Sequence, residues 1–560
     1  MSSPKCNLSE LALFRLGTES AGADERINIS YQRARAVAKT YDMKIHDVID
    51  LSPKFWQLHQ DFVAAFDFAA YTLVTIQLNL AAGTLAPFAV SSRERGLLLE
   101  DILSFKVSAQ YMLTEVGHGL DARNLETTAT LLPNGDFDLH TPNSNAAKIM
   151  PPSWPRAGFP RVAVVFARLI VQDEARGLRP FIVWLNDGET MCAGVTAKLL
   201  FARTGSKPLD HTITTFSHVR LPFSALLGSL ETPANERDNF LSITRRIHVG
   251  SLALTMGLIP LLKRAVFVAG RYSINRQIGG PKNEPISIIS LRTQQQPILY
   301  ALAKIAVLEA YAQESIRLFQ DPTLGPDVKQ GIVAAFKAVG TQATHSALFA
   351  LTARCGARGL YAENHIIESL VDSHGISIAE GDTLALSIRF GTELLLGRYQ
   401  PPPPKDPKNI LARHEKGLLD ESRLLLKGIS GGHRSSEFNS LILPRCQPIV
   451  QAIGHRLAYE AALEAGVDQN LLRLFKTGVM LQDPSWYVQH AGISRESMFA
   501  DEAQALDSVL PQLDGLLNQT GVQPYCSAPI LSQDSWEAFV DQLETREGTK
   551  SRALSEISRL

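Results

Sequence analysis

Apolar and polar positions divide the chain into stretches of different period. From residue 8 to about 105, small and apolar residues recur at three- and four-residue spacing, as in Ala34, Val37 and Ala38, or Phe62, Ala65, Phe66 and Ala69. That is the period of helices buried on one face. Between 107 and 228 the period shortens. Residues 136–140 alternate, and 162–171, 181–184 and 212–216 are β-branched or aromatic runs separated by Pro, Gly, Asn and Asp. This pattern predicts a small antiparallel sheet domain. Helical spacing returns from 237 to about 398. It predicts one long helix over 244–272, stopped by Gly279-Gly280-Pro281, and a second opened by Pro285 and running through 291–319. A third follows Pro326, and a fourth begins at Gly381 and ends near Leu396. The run Pro401-Pro402-Pro403-Pro404 with Pro407 is a stiff connector. Residues 409–560 are helical again, with breaks at Pro444 and 484–492. The expected fold is α+β and mostly helical. It has an N-terminal α domain (1–106), a central antiparallel β domain (107–228), an α-bundle domain (229–400) and a shortened C-terminal α domain (401–560).

Composition narrows the function classes. Hydrophobic residues make up 45% and charged residues 20%, as in an ordinary soluble globular protein. The net charge of -1 supplies no basic field for nucleic acid. Residues 68–90 carry no charge and are long enough to cross a bilayer. However, Gln77, Asn79, Gly83 and Pro87 interrupt them, which predicts a buried helix pair bent at its Gly-Pro region. Cys6, Cys192, Cys355, Cys446 and Cys526 are scattered without a CxxC pair. That spacing points to a reducing compartment and to no structural metal site. The first residues lack the apolar core of a secretory signal.

The candidate chemistry centres on a polar, glycine-hinged stretch: Thr114-Glu115-Val116-Gly117-His118-Gly119, then Leu125-Glu126-Thr127-Thr128-Ala129-Thr130, closing at His140-Thr141-Pro142. Such a loop at a helix-to-sheet junction can receive a flat cofactor. Taken with Val219-Arg220-Leu221-Pro222, Gly270-Arg271-Tyr272-Ser273, Arg276, Thr293-Gln294-Gln295, Cys355-Gly356-Ala357-Arg358-Gly359 and Glu380-Gly381-Asp382, it resembles the peroxisomal acyl-CoA oxidases. These oxidases are a branch of a superfamily that includes the acyl-CoA dehydrogenases. The resemblance covers residues 100–400 well and the flanks loosely.

The resemblance implies FAD and α,β-desaturation of an acyl-CoA or similar acyl thioester. Glu380 would be the base for the α-proton. Hydride would pass to flavin N5, and reoxidation by oxygen would yield hydrogen peroxide. Taken alone, Glu380 reads rather as a capping residue at the start of a helix, where a first-turn Glu is common. Between Ile378-Ala379 and Gly381 it can be desolvated, which would raise its pKa toward that of a general base. Thr114, Gly117 and Gly119 would approach the flavin. Arg276 would reach its diphosphate across the interface of a homodimer, and Gln295, Gly356 and Gly359 would hold the rest of the dinucleotide. His118 reads as structural.

Three departures from the family pattern stand out. Ile149-Met150-Pro151-Pro152-Ser153-Trp154 occupies the place of a Trp-Trp-Pro-Gly-like segment against the flavin, and Pro152 has no N–H to offer. Ile278-Gly279-Gly280 follows Gln277, and Ala357 stands where a second glycine is usual. These changes suggest a specialised, secondary-metabolite type of substrate. They leave two alternatives open: a dehydrogenase with a protein electron acceptor, or a non-catalytic relative acting as a binding or assembly partner. The final Ser558-Arg559-Leu560 is a conservative variant of the Ser-Lys-Leu peroxisomal address. If it is not read, a cytoplasmic location is expected.

Overall fold

The first described helices pack by small-residue stripes. The computed structural model describes residues 8, 11–14, 18 and 21–548; Cys6 and Ser558-Arg559-Leu560 lie outside the described residues. Helix α1 (Ala23–Tyr41) buries Tyr31, Ala34, Val37 and Ala38 on one side, the three- and four-residue spacing of a core-facing stripe. The uncharged stretch is a continuous helical rod: α2 (Phe68–Thr75), a π-helical segment at Ile76–Ala81, then α3 (Ala82–Ala89). Its most apolar window is 89% buried within the protein. The irregularity therefore sits at the π segment and not at the Gly83 to Pro87 region, which lies inside α3. Gln77 accounts for part of this placement. Its amide donates to Ile102 O at 2.6 Å and to Val107 O at 2.7 Å, and its Oε1 accepts from Ala109 N at 2.7 Å. Gly83 serves packing, because a Cβ there would collide with the guanidinium of the buried Arg246.

The strands between residues 108 and 221 form two sheets. The larger has the order β1 (Ser108–Met112), β5 (Arg161–Val171), β2 (Thr128–Leu131), β3 (Phe137–His140), β9 (Val219–Leu221), with β6 (Glu174–Asn186) also paired to β5. Strands β1 and β2 both run parallel to β5. The sheet is therefore mixed, which corrects the antiparallel expectation. Side-chain alternation identifies a strand and its buried face but carries no information on its direction. A smaller antiparallel sheet orders β4 (Lys148–Ile149), β8 (Thr212–Phe216), β7 (Val195–Leu199). Phe137, Val165, Phe181, Val183 and Phe216 fill a core between sheet faces.

The expected long helix over 244–272 is two helices, α4 (Arg245–Met256) and α5 (Leu258–Asn275). They break at Gly257, where Pro260 cannot donate to Met256 O. A Cβ at Gly257 would also lie 2.6 Å from the Tyr71 hydroxyl. Beyond α5, β10 (Gln277–Gly279) pairs with β11 (Pro285–Ser287). Gly280-Pro281 thus belongs to a hairpin turn, and Pro285 sits in a strand instead of opening a helix. Three-residue strands are too short to display a period. Helices α6 (Arg292–Gln320), α7 (Pro326–Arg354), α8 (Ile366–Ile378) and α9 (Thr383–Leu395) follow. After the proline-rich connector, α10 (Leu443–Glu464) packs across α6, α7 and α9. One apolar core runs continuously through the N-terminal, central and C-terminal helices.

Candidate active site

A cavity of about 490 Å³ opens where helices meet the sheets. Thr72 and Ile76 of the N-terminal rod, Tyr111 and Thr114 from β1 and the residues after it, and Pro152 after β4 line it, with Glu380 facing in. Its volume suits a small ligand or part of a larger one. Three residues singled out in the sequence, Thr114, Pro152 and Glu380, thus share one cavity although they are far apart along the chain.

Glu380 lies in the connection between α8 and α9, before Asp382, which caps α9 by accepting from Ala385 N at 2.9 Å. It is therefore outside the helix, which disposes of the first-turn reading. Its φ is 52°, a left-handed conformation that costs a non-glycine residue roughly 1 kcal/mol or more. The turn is pinned from two sides. Ser251 Oγ donates to Glu380 O. Lys337 Nζ, fully buried, donates at 2.5 Å to Ala379 O and at 2.5 Å to Gly381 O. The Glu380 carboxyl approaches α4 closely, because a Cβ at Gly250 would overlap Oε2. That oxygen is buried and has no hydrogen-bond partner among the described residues. Burial pushes the Glu380 carboxyl up to about 8, against the opposing pull of the Lys337 cation. The Tyr111 hydroxyl is likewise buried and unpartnered among the described residues. Burial first, and the Glu380 charge second, hold it well above the usual phenol range.

The loop after Thr114 is held by a buried ion pair. Lys148 Nζ lies 2.9 Å from Glu115 Oε1, both side chains wholly buried. Glu115 also accepts from Glu126 N at 2.7 Å, Thr127 N at 2.9 Å and Thr127 Oγ1 at 2.6 Å. These bonds satisfy the carboxylate and offset its desolvation. Ile149 N donates to Thr114 O at 3.1 Å, which ties Thr114 to the segment bearing Pro152. His118 Nε2 lies 2.9 Å from Glu126 Oε1.

The other predicted residues lie outside the cavity lining. Gly117 abuts Asn145, whose Cβ would be 2.8 Å from an added Cβ, whereas Gly119 faces open space. Arg276 ends α5, exposed, its carbonyl accepting from Ile288 N at 2.9 Å. Gln295 is buried. Its amide donates to Ile289 O at 2.9 Å, and its Oε1 lacks a partner among the described residues. Gly356 adopts φ 58°, and a methyl group there would meet only open space, while a Cβ at Gly359 would strike Thr352 O. Gly359 is thus required by packing. Sequence reasoning missed Tyr111, Gly250, Ser251 and Lys337. Each reads as an ordinary core residue, and only the tertiary fold brings it to Glu380.

Residues 249–395 match the family model of the acyl-CoA oxidase C-alpha1 domain. An acyl-coenzyme A oxidase-like protein of Mus musculus is 27% identical over 314 residues, 52% of this chain and 48% of its own length. Peroxisomal acyl-coenzyme A oxidase 2 of Arabidopsis thaliana is 27% identical over 380 residues, 62% of this chain and 53% of its own. The chain thus spans about half the length of the curated relatives it matches. Among solved structures, acyl-CoA oxidase 1 of Yarrowia lipolytica superposes with a TM-score of 0.81 at 18% identity, over 99% of this chain and 90% of that one. Acyl-CoA oxidase-1 of Caenorhabditis elegans, complexed with FAD and ATP, gives 0.72 at 16% identity, over 100% and 97%. In the sequence of its central helices and in its fold, this chain is similar to the acyl-CoA oxidases.

Proposed function

We propose that this chain is an FAD-dependent acyl-CoA oxidase in which Glu380 removes the α-proton of an acyl thioester. The observation that carries the reading is the Glu380 carboxyl: buried, unpartnered at Oε2 among the described residues and facing a cavity shared with Thr114. A carboxylate freed of solvent is a stronger base than one in water, and the cavity lets a substrate carbon reach it.

The residues present fit the cofactor in part. Thr114 offers a hydroxyl at the cavity wall. The unpartnered Gln295 Oε1 and the exposed Arg276 are available to the far end of a dinucleotide. Pro152 offers no donor. Held there, FAD would supply a hydride acceptor and, through oxygen, the route to hydrogen peroxide. The chain's own part is positional. Glu380 Oε2 takes the α-proton, and its backbone N–H polarises the thioester carbonyl, as an oxyanion donor does. Lys337 and Ser251 hold the turn that aims both groups. Arg276 would serve the partner's cofactor in a homodimer. A peroxisomal location accords with the names of relatives such as the Arabidopsis enzyme.

The test is spectroscopic. Protein loaded with FAD should lose its flavin absorbance on addition of an acyl-CoA without air and regain it on exposure to oxygen. Glu380→Gln should keep the FAD and abolish the bleaching. Retained bleaching in that variant removes Glu380 from its role, and slow recovery in oxygen favours a protein electron acceptor. Pro152 supports one rival, a relative that no longer binds flavin. Protein that retains no FAD after desalting would establish that rival.

A further inference from the structure

A second cavity, of about 770 Å³, lies between the central and C-terminal helices. Helices α6, α7 and α10 wall it, together with the helices Gln469–Met480 and Arg495–Val509. It shares no lining residue with the Glu380 cavity, and none of the residues expected to hold the dinucleotide lines it. Its volume is that of a site for a ligand of drug or lipid size. Apolar side chains form its body, among them Val339, Ala347, Phe475, Val479 and Phe499.

One cation stands in this apolar wall without a counter-charge. Lys304, half-buried, donates from Nζ to Ser346 Oγ at 2.9 Å and to Ala343 O at 3.4 Å. It makes no ion pair among the described residues, and burial alone draws it down to about 8. An ammonium has three donors, so one is left for a ligand. Near it, and also in the lining, is His455, 7% exposed. Burial first, then the His414 and Lys304 charges, hold its ring at about 3 and hence neutral. A neutral imidazole keeps one N–H to donate. The other charged groups of the lining are engaged or open to solvent. Glu502 Oε1 accepts from Gln296 Nε2 at 2.8 Å and from the Tyr300 hydroxyl at 2.7 Å. Arg354 Nη1 donates to Thr293 O at 3.1 Å. Arg495 is exposed, over the Phe499 ring.

We propose that this cavity is a second ligand site, which takes a fatty-acid-type monocarboxylate with its head on Lys304 and His455 and its chain along the apolar body. Two donors, one of them cationic, match the two oxygens of one carboxylate. A polyphosphate would bring several negative charges to a single free cation, in a cavity that already holds Glu502. The site is separate from the flavin region. Lys304 is nine positions beyond Gln295 on α6, about 13 Å along the helix axis.

The experiment uses the full FAD-loaded protein and calorimetry with decanoate and 1-decanol at pH 7. Decanoate should bind at least about tenfold more tightly, as a charge-assisted hydrogen bond requires. Lys304→Met should erase that advantage, leaving the affinity for decanol, and that for FAD measured by quenching of flavin fluorescence, unchanged. Native crystals soaked in 10-bromodecanoate need no variant, and should show anomalous bromine signal beside Phe475. Equal binding of acid and alcohol overturns the inference. So does bromine in the Glu380 cavity alone, or decanoate affinity indifferent to Lys304→Met. Tighter binding of pyrophosphate or ATP than of decanoate, lost in Lys304→Met, would give the site to phosphates and overturn the carboxylate. A fall in FAD affinity in that variant would give the cavity to the cofactor and overturn the second site.

Discussion

At the scale of the residue, the chemistry turns on how Glu380 is kept uncharged yet reachable. Its carboxyl is raised to about 8 by burial. A base must be ionised to act, so the rate of flavin reduction at limiting substrate should rise with pH and level off above about 8. A profile already flat from pH 6 would contradict this. The same shift has a consequence for stability. Between the ordinary glutamate pKa and about 8, the folded protein holds a proton that the unfolded chain releases, so stability falls as pH rises through that window. Glu380→Gln removes this dependence. Its melting temperature relative to the native protein should therefore climb between pH 5 and pH 8 and then level, and parallel curves would argue against a buried protonated carboxyl. Gly250 gives a steric counterpart. A methyl there would overlap Oε2, and a misplacement of about 1 Å can cost roughly a hundredfold in rate. Gly250→Ala should lower the reduction rate by about that factor with little change in flavin binding.

At the scale of the element, the π segment at Ile76–Ala81 joins the N-terminal rod to β1 through Gln77. Replacing Gln77 with Leu removes three hydrogen bonds to buried backbone, those to Ile102 O and Val107 O and that from Ala109 N, of which Ile102 O alone keeps another donor in Phe105 N. The expected loss is about 3 kcal/mol or more, readable as a shift in the urea midpoint; an unchanged midpoint would mean the groups find other partners. This joint also marks the limit of what the sequence discloses. The long helices are legible because apolar residues at a 3.6-residue period announce a buried face, and the proline at 326 announces a start. Thr114 and Glu380 are legible because they stand in recognisable order, and both line the cavity. Strand direction, the three-residue hairpin strands at 277–287 and the break at Gly257 are not. They depend on pairing and on one missing N–H, neither of which leaves a period. Lys337 and Gly250 are hidden for a related reason: a buried lysine and a helix glycine acquire a function only from what the fold sets beside them.

At the scale of the whole molecule, the predicted site residues fall into two groups. Thr114, Pro152 and Glu380 line the cavity, while Arg276, Gln295 and Gly356 lie outside its lining, around the end of α5 and the ends of α6 and α7. If both groups serve one dinucleotide, the second must act on a cofactor held mainly by another copy of the chain, as proposed for a homodimer. Flavin binding and self-association are then linked, because whatever binds only the assembled state stabilises it by mass action. Sedimentation of the FAD-free protein over a dilution series should show dissociation at higher concentrations than the FAD-loaded protein does. Arg276→Ala should weaken FAD binding without altering the mass of the concentrated FAD-free protein. An affinity for FAD that stays constant through dilution to monomer, and is indifferent to Arg276, would mean that each chain holds its flavin alone. The outer group would then be an ordinary part of the helical scaffold.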